Sequence, residues 1–169
     1  MNAALTGHLV FTTLHTNSAI ESINRLLNMG VKPYMLAPAL NLIVAQRLVR
    51  KNCPHCATKR DPQYGEKVEI EETIKKINDA NPSMNIKRDG KVPQTVGCDK
   101  CNGTGYMGRI SIIETFEITD DIKTMIIDGA STLMMYAKAR ETGYLTMKED
   151  GVLKMLDNIT TLDEIRRVV

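Results

Sequence analysis

Four cysteines stand in two Cys-x-x-Cys pairs, Cys53 and Cys56 in "CPHC" and Cys98 and Cys101 in "CDKC". Two residues between thiolates let a tight turn aim both sulfurs at one ion, and two such turns complete a tetrahedral four-sulfur shell. Such a shell suits zinc and leaves no position open for a substrate, which marks a structural site. Two other readings share the residues. A redox dithiol needs one pair and a thioredoxin-like context, which this sequence lacks, and iron–sulfur ligation by four thiolates is compatible with the spacing. His55 lies inside the first pair, but four cysteines already fill the shell. An ion held by both pairs clamps the base of an excursion spanning positions 57 to 97, and closure of that kind gains most when the loop is long.

Directly behind the second pair, Gly103, Gly105 and Gly108 spell Gly-x-Gly-x-x-Gly. That pattern marks a dinucleotide cradle only between a strand and a helix. Here a cysteine knuckle precedes it and the β-rich run "RISIIETFEI" follows, so the glycines are expected to give the knuckle its positive φ angles and close backbone approach. No segment has the spacing of a P-loop; "GEKV" and "DGKV" lack both the second glycine and the hydroxyl.

The run "GHLVFTTLH" reads as a buried strand behind Gly7. Ser18 and Glu21 have capping-box spacing, so a helix should begin there, with Ile20, Ile23, Leu26 and Leu27 as its apolar stripe and Gly30 as its stop. A second helical stretch is expected after Pro38, with Leu40, Ile43, Val44 and Leu48 on one side. Polar residues and prolines dominate positions 57 to 97, where only Val68 to Ile77 looks helical. The sequence beyond the returning strand is helical, with Thr119 as an N-cap and Thr146–Glu149 and Thr161–Glu164 as capping boxes. Strand, turn, helix at the start and a returning strand later predict an α/β fold.

Charge is balanced, with 22 basic and 20 acidic residues and a formal net charge of +2, and there is no Trp. Neither a basic patch nor a stacking platform for nucleic acid is expected. The chain offers no membrane-spanning run and no signal-peptide start, so a cytoplasmic, reducing compartment is expected.

"AALTGHLVFTTLHTNSAIESINRLLNMGV" closely resembles the histidine-box segment of the type II secretion and type IV pilus-assembly ATPases. The similarity continues through "AQRLVRKNCPHC", "CDKCNGTGYMGRISIIE", "GYLTMKEDGVLKML" and "ITTLDEI". The resemblance implies the C-terminal part of a RecA-like ATPase core with an inserted zinc-binding lobe and a small C-terminal helical subdomain. The expected division is 1–52 for the distal core with the histidine box, 53–101 for the tetracysteine lobe, 102–118 for the returning core strand and 119–169 for the helical subdomain. It further implies a parent that uses ATP and Mg, works as a hexameric ring, and acts against an inner-membrane platform protein, to which it is peripheral. The family's P-loop, acidic box and Walker B segment lie upstream of the histidine box. The chain begins just before that box, so it is expected to be a fragment inactive alone.

His8 and His15 match the histidine box, which the family places near the nucleotide and the subunit boundary, and an imidazole there can report nucleotide state. Thr12, Thr13 and Thr16 are polar partners at the expected strand end. Gln46 and Arg47 match the family's "QR" pair, where Arg47 serves phosphate or a structural carboxylate, and Arg109 is similar. The competing expectation is an independent zinc-stabilised adaptor or chaperone-like binding module.

Overall fold

The structure of the protein, a computed structural model, describes residues 2–86 and 90–169. Asp89 of "DGKV" lies outside them. The chain forms two compact units, one from Met1–Ala45 with Glu114–Tyr144 and the other from Gln46–Ile113 with Leu145–Val169. The secondary structure is mixed α/β, as the sequence predicts.

In the first unit a short helix α1 (Asn2–Leu5) precedes α2 (Glu21–Asn28) and α3 (Pro33–Ala39), and α5 (Asp120–Ile127) and α6 (Thr132–Glu141) come later in the chain. The predicted stripe of α2 is real: Ile20 and Ile23 are buried and Leu26 and Leu27 pack on the same core. Gly30 ends that helix at φ 89°. Leu36 and Ala37 of α3, Ile122 and Ile126 of α5 and Met135 of α6 complete the core. Phe116 and Tyr144 meet edge to face in it, with ring centroids 5.7 Å apart. Thr119 caps α5 by accepting from the Ile122 N–H, as expected.

Two expectations fail here. The segment from His8 to Thr16 is irregular, not a buried strand, and Leu9 and Phe11 are 80% and 88% exposed. A strand needs a neighbour for its N–H and C=O groups, and no strand among the described residues pairs with this one. The stretch after Pro38 is also not helical. Leu42–Asn52 is the strand β1, and its burial alternates with period two as far as Val49. Ile43, Ala45, Arg47 and Val49 are the more buried set. The helical spacing of Leu40, Ile43, Val44 and Leu48 competed with that alternation and lost.

In the second unit β2 (Ala57–Arg60) and β3 (Val92–Thr95) pair antiparallel, with Ala57 opposite Thr95 and Arg60 opposite Val92. Between them α4 runs over Tyr64–Ala80, containing and extending the predicted Val68–Ile77 helix. α7 (Met147–Leu156) begins with the expected capping box: Thr146 Oγ1 accepts from the Glu149 N–H, and Glu149 accepts from the Thr146 N–H at 2.8 Å. α8 covers Leu162–Val168. The excursion does not depend on a core of its own. Ile70 of α4 and Val92 of β3 are buried with Val152 and Met155 of α7 and Leu162 and Ile165 of α8. Glu69 of α4 takes Lys148 at 2.6 Å and the Arg166 Nε–H at 3.0 Å, fastening the same three helices by charge. The returning strand is β4 (Tyr106–Glu117), and it pairs with β1.

Candidate metal centre

The first cysteine knuckle grows out of the end of β1. Asn52 is fixed there, its N–H donating to the Ile159 carbonyl at 2.8 Å and its amide donating to the Asn158 and Thr160 carbonyls. The chain then turns tightly, with the Ala57 N–H on the Cys53 carbonyl at 3.0 Å. The second knuckle is built the same way, with the Cys101 and Gly103 N–H groups both on the Cys98 carbonyl. Cys53 joins the two by donating its N–H to the Gly105 carbonyl at 2.9 Å.

The glycines do what their context suggested. A Cβ on Gly105, at φ 76°, would stand 2.5 Å from Thr95 Cβ, and a Cβ on Gly97, at φ 96°, would stand 2.5 Å from the Gly103 carbonyl oxygen. The second knuckle closes on itself and against the end of β3 at distances only glycine permits. Sequence reasoning singled out Gly103, Gly105 and Gly108 and passed over Gly97, whose partner follows it across the second cysteine pair.

Turned this way, the four sulfurs converge. Cys53 Sγ lies 3.9 Å from Cys98 Sγ, and Cys101 Sγ lies 3.8 Å from both Cys56 Sγ and Cys98 Sγ. All four lie within 4.8 Å of one another, and none is in a disulfide. A tetrahedron with metal–sulfur bonds of about 2.3 Å has edges of about 3.8 Å, so the spacing suits one four-coordinate ion. An iron–sulfur cluster interposes several irons and sulfides between its cysteines, and this cluster is too tight for one. His55 is exposed, and the ligand group found among the described residues is the four cysteines alone.

Backbone donors surround the sulfurs unevenly. Cys101 Sγ accepts the Cys98 and Gly105 N–H groups, each at 3.2 Å. Burial pushes the Cys101 thiol up, but those two amides and the neighbouring thiols outweigh it and hold it down at about 6. Burial dominates at Cys56 and pushes it up to about 12, although the Gly97 N–H opposes it. A metal ion would take up the charge that four crowded thiolates cannot carry by themselves.

A second polar centre, invisible in the sequence, braces this base. Glu164 is only 2% exposed and accepts the Arg50 N–H at 2.9 Å, with the Arg50 and Arg167 guanidinium groups on its oxygens at 2.6 and 2.9 Å. Thr161 does cap α8. The reciprocal half of its expected box is instead spent on Arg50, far away in sequence. Burial pushes the Glu164 carboxyl up, while the Arg50 and Arg167 hydrogen bonds more than offset it and bring it to about 2. Arg50 also lies over the Tyr106 ring, 4.1 Å from its centroid.

The other sequence candidates are divided between the two units. His8 and His15 are exposed on the irregular segment of the first unit, where the His8 ring approaches the Thr6 hydroxyl at 3.2 Å. Thr12 and Thr13 are exposed, and the Thr16 hydroxyl meets that of Ser22 at 2.8 Å. Gln46 and Arg47 lie in β1 and Arg109 in β4, all within the second unit.

An α/β chain with a four-thiolate knuckle at the base of a helical excursion is a narrow class, and sequence comparison identifies it. The family model described as "Type II/IV secretion system protein" matches residues 1–167, and this chain belongs to that family. It is 40% identical over 165 residues to the type IV pilus assembly ATPase PilB of Myxococcus xanthus, covering 98% of this chain and 28% of that protein. It is 39% identical over 163 residues to PilB of Thermus thermophilus, covering 96% of this chain and 17% of that protein. With the type II secretion system protein E of Dickeya dadantii it shares 38% identity over 169 residues, 99% of this chain and 31% of that protein. The chain thus spans under a third of the length of each of these relatives.

Proposed function

We propose that this chain is the distal part of a hexameric ATPase motor that powers type IV pilus assembly or type II protein secretion, and that its four cysteines hold one zinc ion. The observation that carries the reading is the match along nearly the whole chain to proteins named as pilus assembly ATPases and as secretion system protein E. Cys53, Cys56, Cys98 and Cys101 supply a closed sulfur shell, and zinc in such a shell acts as a structural cross-link with no open position for substrate. The chain's own residues complete the device. The Gly97 and Gly105 amides neutralise sulfur charge, Asn52 anchors the first knuckle, and Glu164 with Arg50 ties α8 to the strand that leads into it.

His8 and His15 are the nucleotide-sensing residues of this reading, and Arg47 is a phosphate or carboxylate partner. They act in a ring in which ATP and Mg are held by parts of the motor outside this chain, and an inner-membrane platform protein is the partner. No helix among the described residues is long and apolar enough to cross a membrane. In this reading the motor works in the cytoplasm and reaches the membrane through that partner.

The test is a chimera in which this chain replaces the matching segment of the Myxococcus xanthus relative. Zinc-bound, ATP-hydrolysing hexamers are expected, together with no hydrolysis by this chain alone. A folded chimera that neither assembles nor hydrolyses ATP, or robust turnover by the isolated chain, would contradict the reading.

A further inference from the structure

The four sulfurs differ in access and in how firmly they are tied. Cys53 and Cys101 are buried, whereas Cys56 and Cys98 are half-buried. Cys101 Sγ accepts two backbone N–H groups and Cys56 accepts that of Gly97. Among the described residues, no N–H donates to the sulfur of Cys53 or Cys98. These two lie 3.9 Å apart, one in each knuckle. Contraction to a disulfide of about 2.05 Å requires side-chain rotation, which meets least resistance where no hydrogen bond must break. Pairing Cys98 with Cys101, or Cys56 with Cys101, would pull Cys101 off both of its amides.

We propose that the centre is a peroxide-sensitive clasp, in which Cys98 is the sulfur oxidised by a hydroperoxide and Cys53 resolves it into a disulfide between the knuckles. The proposal deepens the reading of the four cysteines as zinc ligands. The Cys98 thiolate attacks one oxygen of a hydroperoxide; the O–O bond breaks, and the departing oxygen takes a proton and leaves as an alcohol or water. The sulfur is then a sulfenic acid. The Cys53 thiolate attacks that sulfur, the S–O bond breaks, and hydroxide takes a second proton to leave as water. Two electrons have passed from the two sulfurs to the peroxide. Two of four ligands are withdrawn, so the shell no longer holds its ion.

The choice of pair decides the mechanical outcome. A bond from Cys53 to Cys98 spans the excursion and keeps its base closed next to the Ala57–Thr95 pairing of β2 and β3. Bonds inside each pair would leave the two ends untied. Oxidation through Cys53 and Cys98 therefore exchanges a metal clasp for a covalent one that a thiol reductant can undo.

The experiment uses the whole chain. Its zinc is first measured by elemental analysis. Hydrogen peroxide is then added while a chelating dye follows metal release and peptide mass mapping follows disulfides. The expected result is release of one equivalent of zinc in step with a peptide linked through Cys53 and Cys98, and recovery of zinc binding after dithiothreitol. Disulfides confined to Cys53–Cys56 or Cys98–Cys101, release accompanied only by sulfinic acids, or zinc retained with no disulfide would each overturn the proposal. A metal-free preparation that still forms the Cys53–Cys98 link would remove the zinc reading and leave the clasp standing. A zinc-loaded one that forms only other products would do the reverse.

Discussion

The base of the excursion and the segment from His8 to Thr16 both lie within the family match, yet they are finished to different degrees. At the base, each knuckle turns on its own amides, the sulfurs meet, and Cys53 donates across to Gly105. Along the segment, Leu9 and Phe11 face solvent and the irregular backbone pairs with no strand among the described residues. A site built from turns brings its donors with it. A strand depends on a neighbour, and apolar side chains alone do not supply one.

This contrast can be broken most forcefully at the cysteines. Stripping metal with a strong chelator should lower the melting temperature by about 10 °C or more, followed by circular dichroism, because ligand binding of this kind is folding energy. An unchanged melt would mean that the knuckles stand without an ion. Gly105→Ala comes next. The added methyl meets Thr95 at 2.5 Å from a backbone at φ 76°, and a loss of about 2–4 kcal/mol in urea unfolding is expected, with weaker metal retention.

Glu164→Ala removes the buried acceptor of the Arg50 N–H and of two half-exposed guanidinium groups that water can take over, and should cost about 1–2 kcal/mol. The same carboxyl gives a pH signature. Its folded value of about 2 lies below the ordinary glutamate value of about 4.3, so its contribution is present above that ordinary value and fades as pH falls toward 2. Glu66 should fade over the same window, since the Arg60 hydrogen bonds hold it at about 2 against the opposing effect of burial. Acid titration of stability in the wild type and in Glu164→Gln should differ in slope there, and parallel curves would exclude Glu164 as a brace. The smallest effect belongs to the other region. Phe11→Ser should change the stability of this chain by less than about 0.5 kcal/mol, because the ring is already 88% exposed. A larger loss would show that the segment packs after all.

The same contrast explains what could be read in advance. Ligand spacing, caps and the Gly30 stop are local chemistry, and Thr146–Glu149, Thr119 and the two cysteine pairs appear where their neighbours in sequence require. Leu42–Asn52 was ambiguous because Ile43, Val44 and Leu48 satisfy a helical period while Ile43, Ala45, Arg47 and Val49 satisfy a period of two. Pairing with β4, supplied by distant sequence, decided it. Glu164 was legible only as half of a capping box, since its actual partners sit on a strand that nothing near Thr161 announces. The core shared by Ile70, Val92 and the C-terminal helices was hidden for the same reason.

X-ray absorption at the zinc edge of the chain as purified tests whether the two knuckles share one ion. One zinc per chain with four sulfur neighbours at about 2.3 Å is the expected spectrum. A chain without zinc, or a shell containing nitrogen or oxygen donors, would mean that the two knuckles do not share an ion in the way their geometry requires.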